Sequence, residues 1–425
     1  MYIQKIILKN IRGFEKLEFD LTRPDGGFAG WTVFTGDNGS GKSTLIKAIA
    51  VALVGKGYAN SLQPSFNGWI RANATEEESS INLRICRNEK EDLLSSGGAP
   101  PATFFTAKIG LSNGQKLTTL EDKSGSKTPE RTIWSSAAGW FSCGYGPFRR
   151  VFGASSDATR QMVSPVTERF VTMFQEAASL AEVDQWMRTL KMKEMENRAT
   201  EKEQLETLLE LLKDDLLPNR ITVDRVDSDG LWLRDRNEVQ LSWGEMSDGY
   251  RAALALLADI VRHLMNTYGT SGLTARDERG KLVIQRGGVV LIDEIDAHLH
   301  PEWQQKIGFW LKAHFPNIQF LVTTHSPLIC QAADPNGLFV LPEPGSGAIP
   351  RRLEDAEYQK IIVSRPDTIL LSPAFGLQNT RSPVAVQSRA EFARLSSKKR
   401  AGALLSAEEN QKFKQLELAI PEEEP

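Results

Sequence analysis

The ten residues TGDNGSGKST, positions 35–44, restrict what this chain can fold into more than anything else in it. Gly36, Gly41, Lys42 and Ser43 meet the spacing G-x-x-x-x-G-K-[ST], with the apolar WTVFT before them and the apolar TLIKAIAVALVG after them. That order predicts a strand, a tight glycine turn and a helix, the context in which the spacing binds phosphate. Glycine lets successive backbone N–H groups curl round an anion, and the helix start adds its positive end. Gly36, Asn38, Gly39, Gly41, Lys42, Ser43 and Thr44 are therefore the expected cradle for ATP. Lys42 is expected to reach the β and γ phosphates and Ser43 to ligate Mg2+.

At 425 residues the chain exceeds one modest core, which predicts one large α/β unit with insertions or two to three subdomains. Hydrophobic residues make up 40% and charged ones 25%, and the formal charge is −3, so nothing pulls the whole chain toward nucleic acid or membrane. Any DNA-binding surface has to be local. Cys86, Cys143 and Cys330 lack the paired spacing of metal sites or disulfide frameworks, which fits a reducing, cytoplasmic setting. No run of about 18 apolar residues occurs, and MYIQKIILKN lacks the order of a signal peptide, so no membrane partner is expected.

Three short strands are expected over residues 2–35, broken at NIRGF and at TRPDGGFAG. GKSTLIKAIAVALVG predicts an amphipathic helix, and residues 56–160 are irregular apart from a β section around 81–120. Between 165 and 217, Phe170, Phe174 and Ala177, then Val183, Met187 and Leu190, then Leu205, Leu208 and Leu212 recur at helical spacing. Folded back on itself at about 1.5 Å per residue, that stretch reaches no more than roughly 40 Å, a stubby arm. ITVDRV and LWLRD return to strand, and the chain closes on a charged helical stretch and the loose acidic tail PEEEP.

GGVVLIDEIDAHLHPEW places Asp293 and Glu294 at the carboxyl end of a buried strand, where open parallel sheets hold their ligands. Asp293 fits a magnesium carboxylate, and Glu294 fits the base that orients and deprotonates a water for attack on the γ phosphate. NIQFLVTTHSP is a second buried strand, and His325 at its end is expected to touch the γ phosphate. His298 and His300 read as loop or helix-start residues, a metal role lacking supporting carboxylate or cysteine spacing.

The order of phosphate loop, long insert, Ser-x-Gly before a helix, apolar run with Asp-Glu, then Thr-His resembles that of the ABC ATPase fold. With LKNIRGF near its start, the stretch from about 1 to 335 resembles the RecF/SMC-like branch of that fold. GYGPFRR, MSDGYRAALALLADI, LIDEIDAHLHPEWQQ, FLVTTHSP and TILLSPAFGLQNTRSP look like the compact AAA-type ATP-binding proteins of bacterial anti-phage systems, including the ATPase of Septu-type systems. The resemblance implies an α/β, ABC-type ATPase core with a mixed sheet, a short helical arm insertion and a C-terminal helical extension. It divides the chain into ATPase lobe I (1–164), the arm (165–217), lobe II (218–340) and an extension open to partner docking (341–425).

In that family a signature loop reaches the γ phosphate held by another subunit, and its counterpart here is MSDGYR, with Ser247, Gly249 and Arg251. Serine and N–H groups at a helix start suit an anion. LSWGE is a rival alignment, set aside because its glycine does not abut the helix. Arg12 in NIRGF is either a nucleotide contact, as in the branch, or an exposed turn arginine. No glutamine takes the usual loop position, although Gln161 and GYGPFRR lie near it. The resemblance implies an ATP-hydrolysing switch that forms a homodimer or higher oligomer, head to tail, and controls a separate effector such as an HNH nuclease. DNA binding remains an open partner. The alternatives are a RecF-like DNA-repair clamp and, less well fitted, the ATP subunit of an ABC transporter.

Overall fold

A computed structural model of the chain describes residues 1–72, 74, 78–94, 100–114, 117–135, 139–148, 164–175, 180–214, 216–217 and 220–419. The chain divides into two units, Met1–Ser364 and Arg365–Pro425.

In the first unit, β1 (Tyr2–Ile11) and β2 (Phe14–Asp20) make a hairpin, and β3 (Gly30–Gly36) runs into the glycine turn. β4 (Ser79–Cys86), β5 (Phe104–Asn113) and β6 (Thr118–Asp122) extend the hairpin into an antiparallel sheet of order β2-β1-β4-β5-β6. β7 (Ser142–Tyr145) belongs elsewhere. β8 (Thr222–Asp227), β9 (Gly230–Arg234) and β10 (Gln240–Ser242) form a small antiparallel sheet, and β11 (Thr274–Arg276) pairs with β12 (Leu282–Ile284). β13 (Gly288–Ile292), β14 (Ile318–Thr324), β15 (Leu338–Leu341) and β16 (Arg351–Arg352) then join β3 and β7 in a six-stranded sheet of order β16-β15-β3-β14-β13-β7. All its neighbours pair in parallel except β16. Parallel strands covered on both faces read as unbroken apolar runs, and every residue of β13 and β14 is buried.

The helix after the glycine turn, Lys42–Leu62, differs from the amphipathic helix expected. Leu45, Ile46, Ala48, Ile49, Ala50, Val51, Ala52, Leu53 and Val54 are all buried, so over Leu45–Val54 no side of it is left open to water, and exposed residues begin only at Lys56. It touches β4, β5 and β6 of the antiparallel sheet as well as β3, β13 and β14 of the parallel one, and a helix between two sheets must be apolar all round. Length and composition alone would let it cross a membrane, yet it is a core helix with 67% of its apolar window buried. Among the described residues the arm holds two 15-residue helices, Ala181–Met195 and Ala199–Lys213, each about 22 Å long. Val183, Met187, Leu190, Leu205, Leu208 and Leu212 are buried. Residues Phe170 and Phe174 fall in the short turns Pro165–Glu168 and Val171–Phe174 and their caps, and Ala177 lies outside the described residues.

The second unit has helices Pro366–Leu370, Pro383–Arg400 and Ala407–Ala419. The two longer ones meet through stacked Phe392 and Phe413, with ring centroids 5.1 Å apart, and through Lys398–Glu409 at 2.8 Å. The PEEEP tail lies outside the described residues.

Gly144 in β7 sits where a Cβ would meet Phe170 at 2.7 Å and Met173 at 2.8 Å. Gly144→Ala should therefore cost about 1–3 kcal/mol through overpacking, read as a lower urea midpoint at unchanged slope.

Candidate nucleotide site

The glycine turn is built for close approach. Gly36 has φ 149° and Gly41 φ 97°; a Cβ on Gly36 would lie 2.2 Å from the Leu341 carbonyl oxygen, and one on Gly41 2.6 Å from the Phe14 ring. Only glycine fits both places. Gly39 has φ 80°, and Asn38 beside it is exposed. Ser43 and Thr44 occupy the first turn of the helix that Lys42 opens. Lys42 is 5% exposed, and its Nζ donates to the carbonyls of Gly36 at 2.7 Å and Asp37 at 2.8 Å. Burial pushes its ammonium below the ordinary lysine value, against the upward pull of Glu294, Asp293, Asp37 and Asp296.

Those carboxylates arrive from the end of β13. Asp293 is fully buried, its N–H donates to the Tyr145 carbonyl at 2.8 Å, and Oδ1 accepts from Thr323 Oγ1 at 2.5 Å. The same Thr323 oxygen accepts from the Glu294 N–H at 2.7 Å. Glu294 is half-buried and holds φ 46°, a left-handed conformation that a non-glycine residue adopts only when its surroundings impose it. One threonine on β14 thus fixes both acids. His325 follows one residue after β14. Burial lowers its imidazole below the ordinary value and the Lys42 charge lowers it further, while Asp296, Glu294 and Asp37 pull the other way.

Asp296 is a site residue that the sequence reading missed. Its Oδ1 accepts from Thr324 Oγ1 at 2.5 Å, and its charge favours the protonated forms of both Lys42 and His325. The signal was the third acid in DEID.

Arg12 stands at the loop helix. Its φ is 47°, its N–H donates to the Trp69 carbonyl at 2.8 Å, its guanidinium lies 4.9 Å over the Trp69 ring, and Nη1 reaches Thr44 Oγ1 at 3.4 Å. The arginine is exposed and at the turn, and it is also beside the glycine cradle.

Ser247 caps helix Asp248–Tyr268 by position, without a hydrogen bond from its side chain, and is exposed. The rival Ser242 is spent locally: it closes a capping box with Glu245, its hydroxyl donating to Oε2 at 2.7 Å. Gly249 abuts the turn after Glu294, since a Cβ there would lie 2.5 Å from the His298 carbonyl oxygen. Tyr250 meets Trp303 edge to face at 5.0 Å, and Arg251 pairs with Asp248. The structure therefore gathers Lys42, Asp293, Glu294 and His325 and sets Gly249, two residues after Ser247, against His298. His300 takes a helix-start role, its Nδ1 accepting from the Glu302 N–H at 3.3 Å. Gln161, Arg149 and Arg150 lie outside the described residues.

A glycine cradle ahead of a buried helix, with acids on the second strand away in a parallel sheet, makes an α/β core of the phosphate-loop, nucleotide-binding kind. The family model described as "AAA domain" matches residues 5–224, just over half of the chain, and the chain belongs to that family; a second AAA-domain model matches 152–331. The chain is similar to "Retron Ec83 probable ATPase" of Escherichia coli, 44% identical over 25% of this chain and 18% of that one. It is similar to "Septu protein PtuA" of Bacillus mycoides, 26% identical over 77% of this chain and 38% of the relative. The matches thus span less than half the length of these relatives. A solved Smc head domain from Pyrococcus furiosus, bound to the C-terminal domain of ScpA, aligns with 85% of this chain and 98% of that one at 16% identity and TM-score 0.49.

A histidine whose folded value is depressed favours folding above its unfolded value of about 6.5, and that contribution is lost as pH falls through the folded value. His325→Gln should remove this loss. The melting temperature of the wild type should fall more than that of the variant between pH 7.5 and 5, with the gap opening below about 6.5.

Proposed function

We propose that the chain binds ATP with Mg2+ and hydrolyses it as a switch in anti-phage defence, closing head to tail with a second copy and controlling a separate effector. The observation that carries the hydrolytic part is the convergence of Asp293, Glu294, Asp296 and His325 on the Lys42 ammonium at the ends of β13 and β14. The relatives named "Septu protein PtuA" and "Retron Ec83 probable ATPase" support the defence setting.

The residues present fit a divalent cation, because Asp293 is a buried carboxylate held by Thr323 and Ser43 lies in the first turn of the loop helix. Mg2+ held by Ser43 and Asp293 would neutralise charge on the β and γ phosphates. Lys42 moves from the Gly36 and Asp37 carbonyls to the β and γ oxygens, and the glycine-turn N–H groups hold the remaining charge. Glu294 accepts a proton from water as its oxygen bonds to the γ phosphorus, the bond to the β–γ bridging oxygen breaks, and ADP and phosphate leave. His325, kept neutral near pH 7 by burial and Lys42, donates one hydrogen bond toward the γ phosphate. Arg12 steadies the nucleotide beside Thr44.

The exposed Ser247 hydroxyl, left unused as a cap, supports a role toward another molecule's phosphate, with Gly249 and Arg251 at the same helix start. A homodimer with two composite sites follows. The arm at 165–217 and the helices after 365 are the proposed faces for an effector such as an HNH nuclease, and DNA is a second candidate partner.

Glu294→Gln keeps the shape and removes the proton acceptor. Turnover should fall about 10²- to 10⁴-fold while ATP affinity holds. Lys42→Ala should instead lose ATP affinity itself. Phosphate release and fluorescent-nucleotide titration separate the two, and near-normal turnover in Glu294→Gln would place the base elsewhere.

A further inference from the structure

Helix Asp248–Tyr268 buries a set of charges that the chemistry above does not use. Asp259, midway along it, is 3% exposed. Its Oδ2 accepts from the Tyr145 hydroxyl at 3.0 Å and lies 3.2 Å from His263 Nε2, and its Oδ1 accepts from Arg262 Nε at 2.9 Å. Arg262 continues to Glu168 at 2.7 Å. Burial alone would raise the Asp259 carboxyl, but His263 and Arg262 hold it well below the usual range, so it stays ionised. Burial and the Asp259 charge in turn push the Tyr145 phenol up, which keeps it a donor. A buried ionic cluster of this kind seldom adds more stability than apolar side chains of equal volume. Its use has to be sought in position.

Tyr145 ends β7 and stands opposite Ile292 in the register with β13. Its carbonyl oxygen accepts from the Asp293 N–H, and its hydroxyl holds the helix that Ser247 opens. One residue thus grips the carboxylate strand with its backbone and the Ser247 helix with its side chain. The strand end has little freedom to absorb a displacement: a Cβ on Gly146 would lie 2.4 Å from the Thr172 carbonyl oxygen, and Gly144 N–H donates to the Arg169 carbonyl at 2.8 Å. Tyr145 thus connects the helix to β7 and, through the Asp293 N–H, to the carboxylate strand.

We propose that the Tyr145–Asp259 hydrogen bond couples the two ATP sites of a dimer, with Tyr145 and Asp259 as positioning residues. The Ser247 face senses the partner's nucleotide, and Tyr145 carries that state to the chain's own Asp293 and Glu294. This rests on the head-to-tail reading of the site.

Tyr145→Phe removes the hydroxyl and keeps the ring. In steady-state ATPase titrations, kcat should fall about tenfold or more, as expected for losing a hydrogen bond to a charged group, and the Hill coefficient should drop to one. The ATP affinity of the open subunit, measured with a fluorescent nucleotide in a Ser247→Arg background, should be unchanged. Asp259→Asn should reproduce the effect, and the double variant should be no worse than either single one. An unchanged kcat and Hill coefficient in Tyr145→Phe would overturn the proposal, as would an equal loss of open-subunit affinity or simple additivity of the two changes. If wild-type protein already shows a Hill coefficient of one and Glu294→Gln stays monomeric with ATP, the dimer reading itself falls and the coupling with it.

Discussion

One ammonium group held largely out of water governs the rest of this site. Lys42 is almost fully buried, and withdrawing its charge from solvent is unfavourable unless opposite charge lies close by. The carboxylates of Asp293, Glu294 and Asp296 supply it, and they can do so only because β14 alone separates the loop strand β3 from β13. Thr323 and Thr324 of that middle strand then tie the acids down by side-chain hydrogen bonds. The sheet order, the apolar strands and the buried helix all serve to hold this charge cluster in one geometry.

The parts legible in the sequence were those whose signal is local. A glycine spacing between two apolar runs, or four apolar residues ending in two acids, implies strand, turn and helix without tertiary knowledge. The three strands over 2–36, the β section from 79 to 122 and the strands carrying Asp293 and His325 follow from such patterns. The burial of helix Lys42–Leu62 did not, because a second sheet, through β4, β5 and β6, covers its other face from further along the chain. Its mixture of alanines with larger apolar residues looks the same whether one side or both are packed.

Long-range pairing hid the remaining site residues. Tyr145 reads as the end of a short apolar run, and its contacts to Asp259 and Asp293 span 114 and 148 positions of sequence. Asp296 lay in view but without a partner until Thr324 was placed beside it. At the Ser247 turn two contacts are also distant in sequence: Tyr250 packs edge to face on Trp303, and Gly249 lets the turn close on His298. These contacts join the Ser247 turn to the segment that follows Glu294.

In the proposed function the site is completed by a second copy of the chain. Cys86, Cys143 and Cys330 are all buried, so single cysteines introduced at the exposed positions Ser247 and Asn38 would be the reactive thiols. Ser247→Cys and Asn38→Cys chains, each also carrying Glu294→Gln, are mixed and treated with a short bismaleimide. A cross-linked heterodimer should form with ATP and Mg2+ and none with ADP or without nucleotide. Absence of the heterodimer with ATP and Mg2+ would contradict it, as would cross-linking within one dilute chain that carries both cysteines.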